Sequence, residues 1–310
     1  MMRDDYDSPW KEVLEDYFQE FMRFFFSQAA MEIDWNKGFQ FLDKELEQIV
    51  RDAELGKRYA DKLVQLWRIN GESAWVMVHV EIQGEKDADF AKRMYVYNYR
   101  IFDRYDRPVA SLAVLADNRP DWRPGSYAHT LFGCKAGIRF PIVKLLDYAD
   151  RWEELKADSN PFSIAVMAHL KTRETRNDVN RRKEWKVELT KSLYVKGYGQ
   201  KDIINLFRFI DWMMRLSDEL ETVFWEEIKH YEEDKQMPYV TSVEKIGIKK
   251  GMQQGMQQGM QQGMQQGMQQ GMQRNLEETI HKMFRKGMTA GQIADILEME
   301  VRQVEVYLKN

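Results

Sequence analysis

A single cysteine, Cys134, is all the chain contains, so an internal disulfide is excluded. It also has no Cys or His neighbours at zinc-finger spacing, which fits a reducing cytosol and leaves no structural zinc site to read. A basic excess is missing too. The 46 Lys and Arg against 50 Asp and Glu give a formal net charge of -4, so any nucleic-acid contact must come from a local basic surface, not from the field of the whole molecule. The stretch from Met1 to Trp10 is acidic and lacks the basic region of a secretory signal, and the apolar run around Phe21 to Phe26 is interrupted by Arg23. No apolar run approaches the roughly 20 residues needed to cross a bilayer as a helix. The expectation is a cytoplasmic protein with no membrane partner.

What is present is enough apolar material, 44% hydrophobic and 13% aromatic over 310 residues, for one sizeable α/β core plus a smaller helical part. Residues 10–28 and 38–52 carry apolar side chains at helical spacing and predict two opening helices. From Tyr59 the period changes to two, and segments 59–69 and 74–83 read as paired strands joined across Asn70-Gly71. A helix follows from Asp87 to Tyr105. The run from Val109 to Ala116 is apolar on both faces, as expected of a central strand covered on each side. Segments 126–133 and 136–146 read as further strands, and 161–175, 178–197, 201–216 and 218–234 as helices. The organisation expected is an α/β core over 1–150, a helical subdomain over 151–245, a low-complexity spacer over 246–275 and a helix-turn-helix-like tail over 276–310.

Within the spacer, Gly-Met-Gln-Gln repeats from Gly251 to Gln273. A four-residue repeat would carry the methionine stripe about 40° around an ideal helix at each step, so the stripe spirals instead of facing one partner. It reads as a tether, with self-association through the methionines, and hence a homo-oligomer, as the other reading. In the tail, Thr289 reads as an N-cap and Gly287 as a stop signal, while Glu300 and Glu305 beside Arg302 would repel DNA phosphates.

The chemistry is concentrated in the hairpin. A two-residue Asn70-Gly71 turn would set Asp61 opposite Val80 and split the carboxylates between faces. An odd loop centred on Gly71 sets Asp61 opposite Glu81, Leu63 opposite His79 and Trp67 opposite Trp75, and gathers Val64, Leu66, Val76, Val78 and Val80 on the other face. Only Lys62 breaks that apolar side, so burial favours the odd register. Gln83, two residues beyond Glu81, shares the face of Asp61. Two carboxylates this close suit a hard divalent ion, Mg²⁺ or Mn²⁺, and phosphodiester hydrolysis. Glu45, on the preceding helix, is a candidate third ligand, and His79 lies on the same face. From spacing alone, solvent-facing carboxylates on a half-exposed sheet remain an open reading.

These residues resemble a known family, the Rpn recombination-promoting nucleases, also described as YhgA-like transposases, within the PD-(D/E)XK nuclease superfamily. The resemblance rests on Phe41-Leu-Asp-Lys-Glu-Leu46, Tyr59-Ala-Asp-Lys-Leu63, Val78-His-Val-Glu-Ile-Gln-Gly84, Asp89-Phe-Ala-Lys-Arg-Met94 and Tyr99-Arg-Ile-Phe-Asp-Arg-Tyr105. It continues through Trp122-Arg-Pro124 and Phe140-Pro-Ile-Val-Lys-Leu-Leu-Asp147, covering roughly the first half of the chain. It implies a restriction-endonuclease-like mixed sheet flanked by helices, with Asp61 and Glu81 as metal ligands and Glu45 as an additional one. Gln83 falls where many members have lysine, so transition-state charge would have to be met by the metal or by another base such as Lys62 or Lys92.

The most basic stretch, from Lys171 to Lys186, supplies Arg173, Arg176, Arg181, Arg182 and Lys183 as DNA-binding candidates, with Arg93 and Arg100 on the helix after the hairpin. A solvated helix face is the plainer reading of that stretch. The functional expectation is a metal-dependent DNA endonuclease that promotes recombination or transposition. The alternative is a catalytically weak or inactive DNA-binding or assembly protein on the same scaffold.

Overall fold

The computed structural model of the chain describes residues 7–46, 60–81, 88–241 and 276–309. The Gly-Met-Gln-Gln repeat and Gln83 lie outside the described residues, and of Asp61 and Glu81 only the backbone is described. Two compact units divide the chain, Met1–Thr241 and Ser242–Asn310.

The first unit is α/β, built on a mixed five-stranded sheet in the order β1-β2-β3-β4-β7. Its strands are β1 (Phe39–Phe41), β2 (Ala60–Trp67), β3 (Ser73–Glu81), β4 (Val109–Leu115) and β7 (Ile142–Lys144). β1, β2 and β3 pair antiparallel, whereas β3, β4 and β7 run parallel. The first three helices are α1 (Asp7–Asp16), α2 (Phe18–Phe25) and α3 (Ser27–Met31). The opening segment expected as one helix is therefore broken at Tyr17 and Phe26, both at φ -133. Helical spacing persists across the breaks because the pieces bury the same stripe in one core, which includes Trp10, Leu14, Phe18, Phe21 and Phe25. The second expected helix also begins differently. Phe39 and Phe41 pack on Phe18, with ring centroids 4.9 and 5.8 Å away, and their backbone pairs with β2, so helix starts only at residue 43.

Between β3 and β4 the chain crosses over through α4 (Phe90–Tyr105). Phe90, Met94, Tyr97 and Ile101 fall at helical spacing and are all buried against one sheet face, each contributing about 1.5–3 kcal/mol. Asn98 fastens this helix to β4, its Nδ2 donating to Val109 O at 2.7 Å and to Ser111 Oγ at 2.9 Å.

The other sheet face carries Val64, Leu66, Val76, Val78, Val80, Leu112 and Val114 into a larger core shared with the helices α5 (Trp152–Ala157), α6 (Pro161–Glu174), α7 (Val179–Val195), α8 (Gln200–Met213) and α9 (Asp218–Lys235). α6 starts with Asn160 Oδ1 accepting from Phe162 N at 2.9 Å and Pro161 in the first turn, and Phe162 to Leu170 are buried on every side. One hydrophobic cluster runs from Trp10 to Val240, so the helices over 151–241 share the sheet's core and do not form a subdomain with a core of their own.

The segment expected as one strand over 136–146 is split at Phe140-Pro141. Its first part, β6 (Cys134–Arg139), leaves the sheet and pairs antiparallel with β5 (Ser126–Leu131) as a separate ribbon, and only Ile142–Lys144 returns as β7. Gly137 lets the ribbon close, since a Cβ there would meet Tyr127 O at 2.4 Å.

In the second unit, helix over 276–285 is followed by α10 (Ala290–Leu297) and α11 (Val301–Lys309), around a small core of Ile280, Ile293, Ala294 and Val304. Thr289 caps α10 in a reciprocal pair with Gln292, and Gly287 stops the preceding helix at φ +90, both as the sequence predicts. Among the described residues no helix is long and apolar enough to cross a membrane.

Candidate functional site at the carboxyl end of the sheet

β2 and β3 are joined by an odd loop, but its centre is Asn70, not Gly71. Arg68 N donates to Glu72 O at 2.8 Å, Gly71 N donates to Arg68 O at 2.9 Å, and Gly71 sits at φ +90. This is a turn followed by a left-handed residue, the usual three-residue hairpin connection. Asp61 therefore stands opposite His79, Leu63 opposite Met77 and Trp67 opposite Ser73. The expected pairing of Asp61 with Glu81 is displaced by two residues. A displacement of two keeps the face: Asp61, His79 and Glu81 occupy register positions on one side of the sheet, with Asp61 and Glu81 on a diagonal. Such diagonal positions lie about 7–8 Å apart between backbones.

The parallel pairing extends this row, with Glu81 beside Leu115 and Leu115 beside Lys144. In open sheets with parallel strands, ligands gather outside the carboxyl ends, and Glu81 ends β3 at such an edge. An aromatic wall backs the row. Phe90 lies 5.6 Å from Trp122 and 6.2 Å from Phe140, and His79 meets Phe90 edge-on at 5.0 Å. His79 is only 1% exposed, which fits a packed imidazole better than a solvent-reaching base. Glu45 is half-buried on the helical turn at 43–46, between Leu42 and Leu46, which pack in the cluster on this same sheet face.

Lys62, proposed from the sequence as a stand-in for the missing lysine, has the opposite parity and lies on the other face. There its Nζ pairs with Glu15 and, at 3.0 Å, with Asp43. Burial alone would lower its pKa, but the hydrogen bonds to Glu15 and Asp43 outweigh that and hold it above the usual lysine value. Lys92, the second candidate, is exposed on α4.

Sequence reasoning passed over a different cation. Lys144 is fully buried, and its Nζ donates to Asp117 Oδ2 at 2.7 Å and to Trp122 O at 3.0 Å. Asp117 also accepts from Arg119 N at 2.8 Å, and its carbonyl accepts from Arg173 at 3.3 Å. His169 Nε2 donates to the neighbouring Ala116 O at 3.0 Å. The signal for this knot was an Asp immediately after the apolar run to Ala116 and a Lys ending the short apolar segment from Ile142.

The basic stretch is mostly consumed internally. Arg182 donates to Thr172 O at 3.2 Å and Thr175 O at 3.3 Å, satisfying carbonyls at the end of α6. Lys183 pairs with Glu227, and buried Lys186 with Asp211 at 2.7 Å and Glu221 at 2.6 Å. Arg173 is partly buried, and that burial lowers its pKa. Arg176 and Arg181 remain exposed. On α4, Arg93 is 7% exposed with its guanidinium 5.7 Å from the Phe90 ring centre, and Arg100 is half-buried, so the two do not form one open basic face.

A cavity lined by Glu12, Asp16, Arg208, Asp211 and Trp212 opens between α1 and α8, elements of the core on the opposite face from Glu81. Among the described residues no group of three or more His, Cys, Asp or Glu is arranged around a metal position; the side chains of Asp61 and Glu81 are outside that set. No family model matches the chain, and comparison with curated proteins and with solved structures finds no significant match.

Proposed function

We propose that the chain is a metal-dependent DNA endonuclease of the restriction-endonuclease-like kind, promoting recombination or transposition by cutting DNA. The observation that carries this reading is the register of β2 and β3, in which Asp61 and Glu81 hold positions on one sheet face at the carboxyl end of β3. Both positions offer oxygen donors, the donor type that Mg²⁺ and Mn²⁺ prefer, and a diagonal across neighbouring strands suits two carboxylates sharing one ion. Glu45, on the helical turn that covers this face, would complete the set. A divalent ion held there would supply positive charge beside the scissile phosphate and would lower the pKa of a water.

The chain's own residues then have separate tasks. Asp61 and Glu81 would hold the ion at a fixed place on the sheet. Gln83 orients the attacking water through its amide, without adding charge. The wall of Phe90, Trp122 and Phe140 excludes bulk water from the row, which strengthens every charge interaction inside it. Lys144 holds Asp117 and the Trp122 carbonyl in place at the edge.

A second reading, a DNA-binding or assembly protein with weak or no turnover, has one observation in its favour. Lys62 and Lys144 are both committed to carboxylates, so neither stands in for the lysine that the resemblance leads one to expect at Gln83. Plasmid nicking in Mg²⁺ or Mn²⁺ separates the two. Wild type is expected to nick, and Asp61→Ala and Glu81→Gln to lose at least about a hundredfold in rate, as removal of charge stabilisation does elsewhere. Equal cleavage by all three proteins would remove the site assignment, and no cleavage by any would favour the second reading.

A further inference from the structure

The ribbon β5–β6 has features that its own packing does not account for. Leu131 pairs with Cys134, leaving Phe132-Gly133 as a two-residue loop with φ of +48 and +82. Positive φ at both central residues calls for Asn, Asp or Gly at the first of them, and a bulky aromatic there is at odds with its backbone. Phe132 is nevertheless 98% exposed, so its side chain gains nothing from the fold in return. A strained residue that contributes no burial points to a task outside the fold.

The ribbon has one seated and one free face. Tyr127, on the seated face, lies 5.4 Å from Tyr95 of α4. The free face carries the exposed cations Lys135 and Arg139 among small residues such as Ser126 and Thr130, which leaves both cations open to close approach. From Arg123 to Leu146 the chain has no Asp or Glu. The base is clamped to the edge of the sheet where Glu81 ends β3. Phe140 N donates to Gly125 O at 2.9 Å, Arg123 holds Asp147 through two bonds of 2.9 and 2.6 Å, and Lys144 holds the Trp122 carbonyl.

We infer that this ribbon is a wedge for double-stranded DNA, with Lys135 and Arg139 meeting backbone phosphates and Phe132 pressing between base steps at the tip. Two strands about 5 Å apart form a ribbon narrow enough for a major groove about 12 Å wide, and minor-groove binders show that an apolar side chain inserted at a base step kinks a duplex. The inference rests on the reading of the chain as a DNA-cutting protein and adds how the substrate is gripped. Duplex DNA is favoured over a protein partner because the free face is cationic and small-residued and because its base adjoins the proposed phosphodiester site.

The test is binding of the full chain to a short fluorescein-labelled duplex, in chelator so that nothing is cut, over a series of salt concentrations. Phe132→Ala is expected to weaken binding by about tenfold with the salt dependence unchanged, the signature of lost stacking. Lys135→Gln with Arg139→Gln is expected to flatten the slope of log affinity against log salt by about 2, since each phosphate contact accounts for about 0.9. A duplex carrying 2-aminopurine brightens with wild type and not with Phe132→Ala. Wild-type affinity and slope in all variants, or no duplex binding by wild type, overturns the wedge. So does loss of self-association in sedimentation, or of adhesion to anionic vesicles, in Phe132→Ala with duplex binding intact. Ribbon-dependent binding without cleavage in Mg²⁺ removes the endonuclease reading and leaves the wedge standing; cleavage with binding indifferent to these substitutions does the reverse.

Discussion

Lys62, Lys144 and His169 are three buried titratable groups whose partners decide what each can do. Hydrogen bonds to Glu15 and Asp43 hold Lys62 above its usual pKa against its burial, and buried Lys144 pairs with Asp117 at 2.7 Å; removing Asp117 would break a buried ion pair, a far larger penalty than the pair itself contributes in stability. Among the described residues His169 has no carboxylate partner. It is buried next to Trp10, and burial first, then the Arg173 charge, push its pKa down to about 4, with the bond to Ala116 O opposing. The neutral ring is therefore the folded form at neutral pH. In the unfolded chain the ring takes up a proton near pH 6.5, so the stability it supports is present above that pH and is lost as pH falls from about 6.5 towards about 4. Urea titrations are expected to show the midpoint falling across that window in wild type and falling less in His169→Gln, whose amide can still donate to the Ala116 carbonyl. An equal fall in both would remove His169 as the cause.

At the scale of elements, the hairpin explains which parts of the site were legible in the sequence. Hydrophobic alternation has a period of two, so it fixes which side chains share a face and assigns Asp61, His79 and Glu81 to one side. It is blind to a shift of two residues, because such a shift leaves every side chain on its own face. Turn geometry decides that shift, and it depends on Gly71 adopting φ +90 after a turn at Ile69-Asn70. The long helices α6 to α9 were readable as helices, close to their observed bounds. The breaks at Tyr17 and Phe26 were not, since all the pieces feed one core. Charge was the least legible property: composition marked residues 171–186 as basic, but not that Arg182, Lys183 and Lys186 are tied to the protein itself. Gly71→Ala tests the turn. A Cβ there meets nothing within 4 Å, so the cost is conformational alone, about 1–2 kcal/mol. Denaturant unfolding should show that loss while nicking per folded molecule stays unchanged; lost nicking at wild-type stability would mean that the turn does more than set the register.

For the molecule as a whole, a net charge of -4 argues against attraction to DNA at long range, so the proposed binding would have to be local and close. The carboxylate-free segment from Arg123 to Leu146 provides such a locality at the edge where β3 and β4 end. The first unit brings sheet and helices into one core, which leaves the row beginning at Asp61 on a rigid base. The proposed function has one requirement, that Asp61 and Glu81 hold the same ion. The most direct measurement is Mn²⁺ binding followed by electron paramagnetic resonance, without DNA and without turnover. The account predicts one competitively Mg²⁺-displaceable Mn²⁺ in the wild type, weakened by about tenfold or more in Asp61→Asn and in Glu81→Gln alike. Binding of unchanged strength in either variant, or none in the wild type, would contradict it.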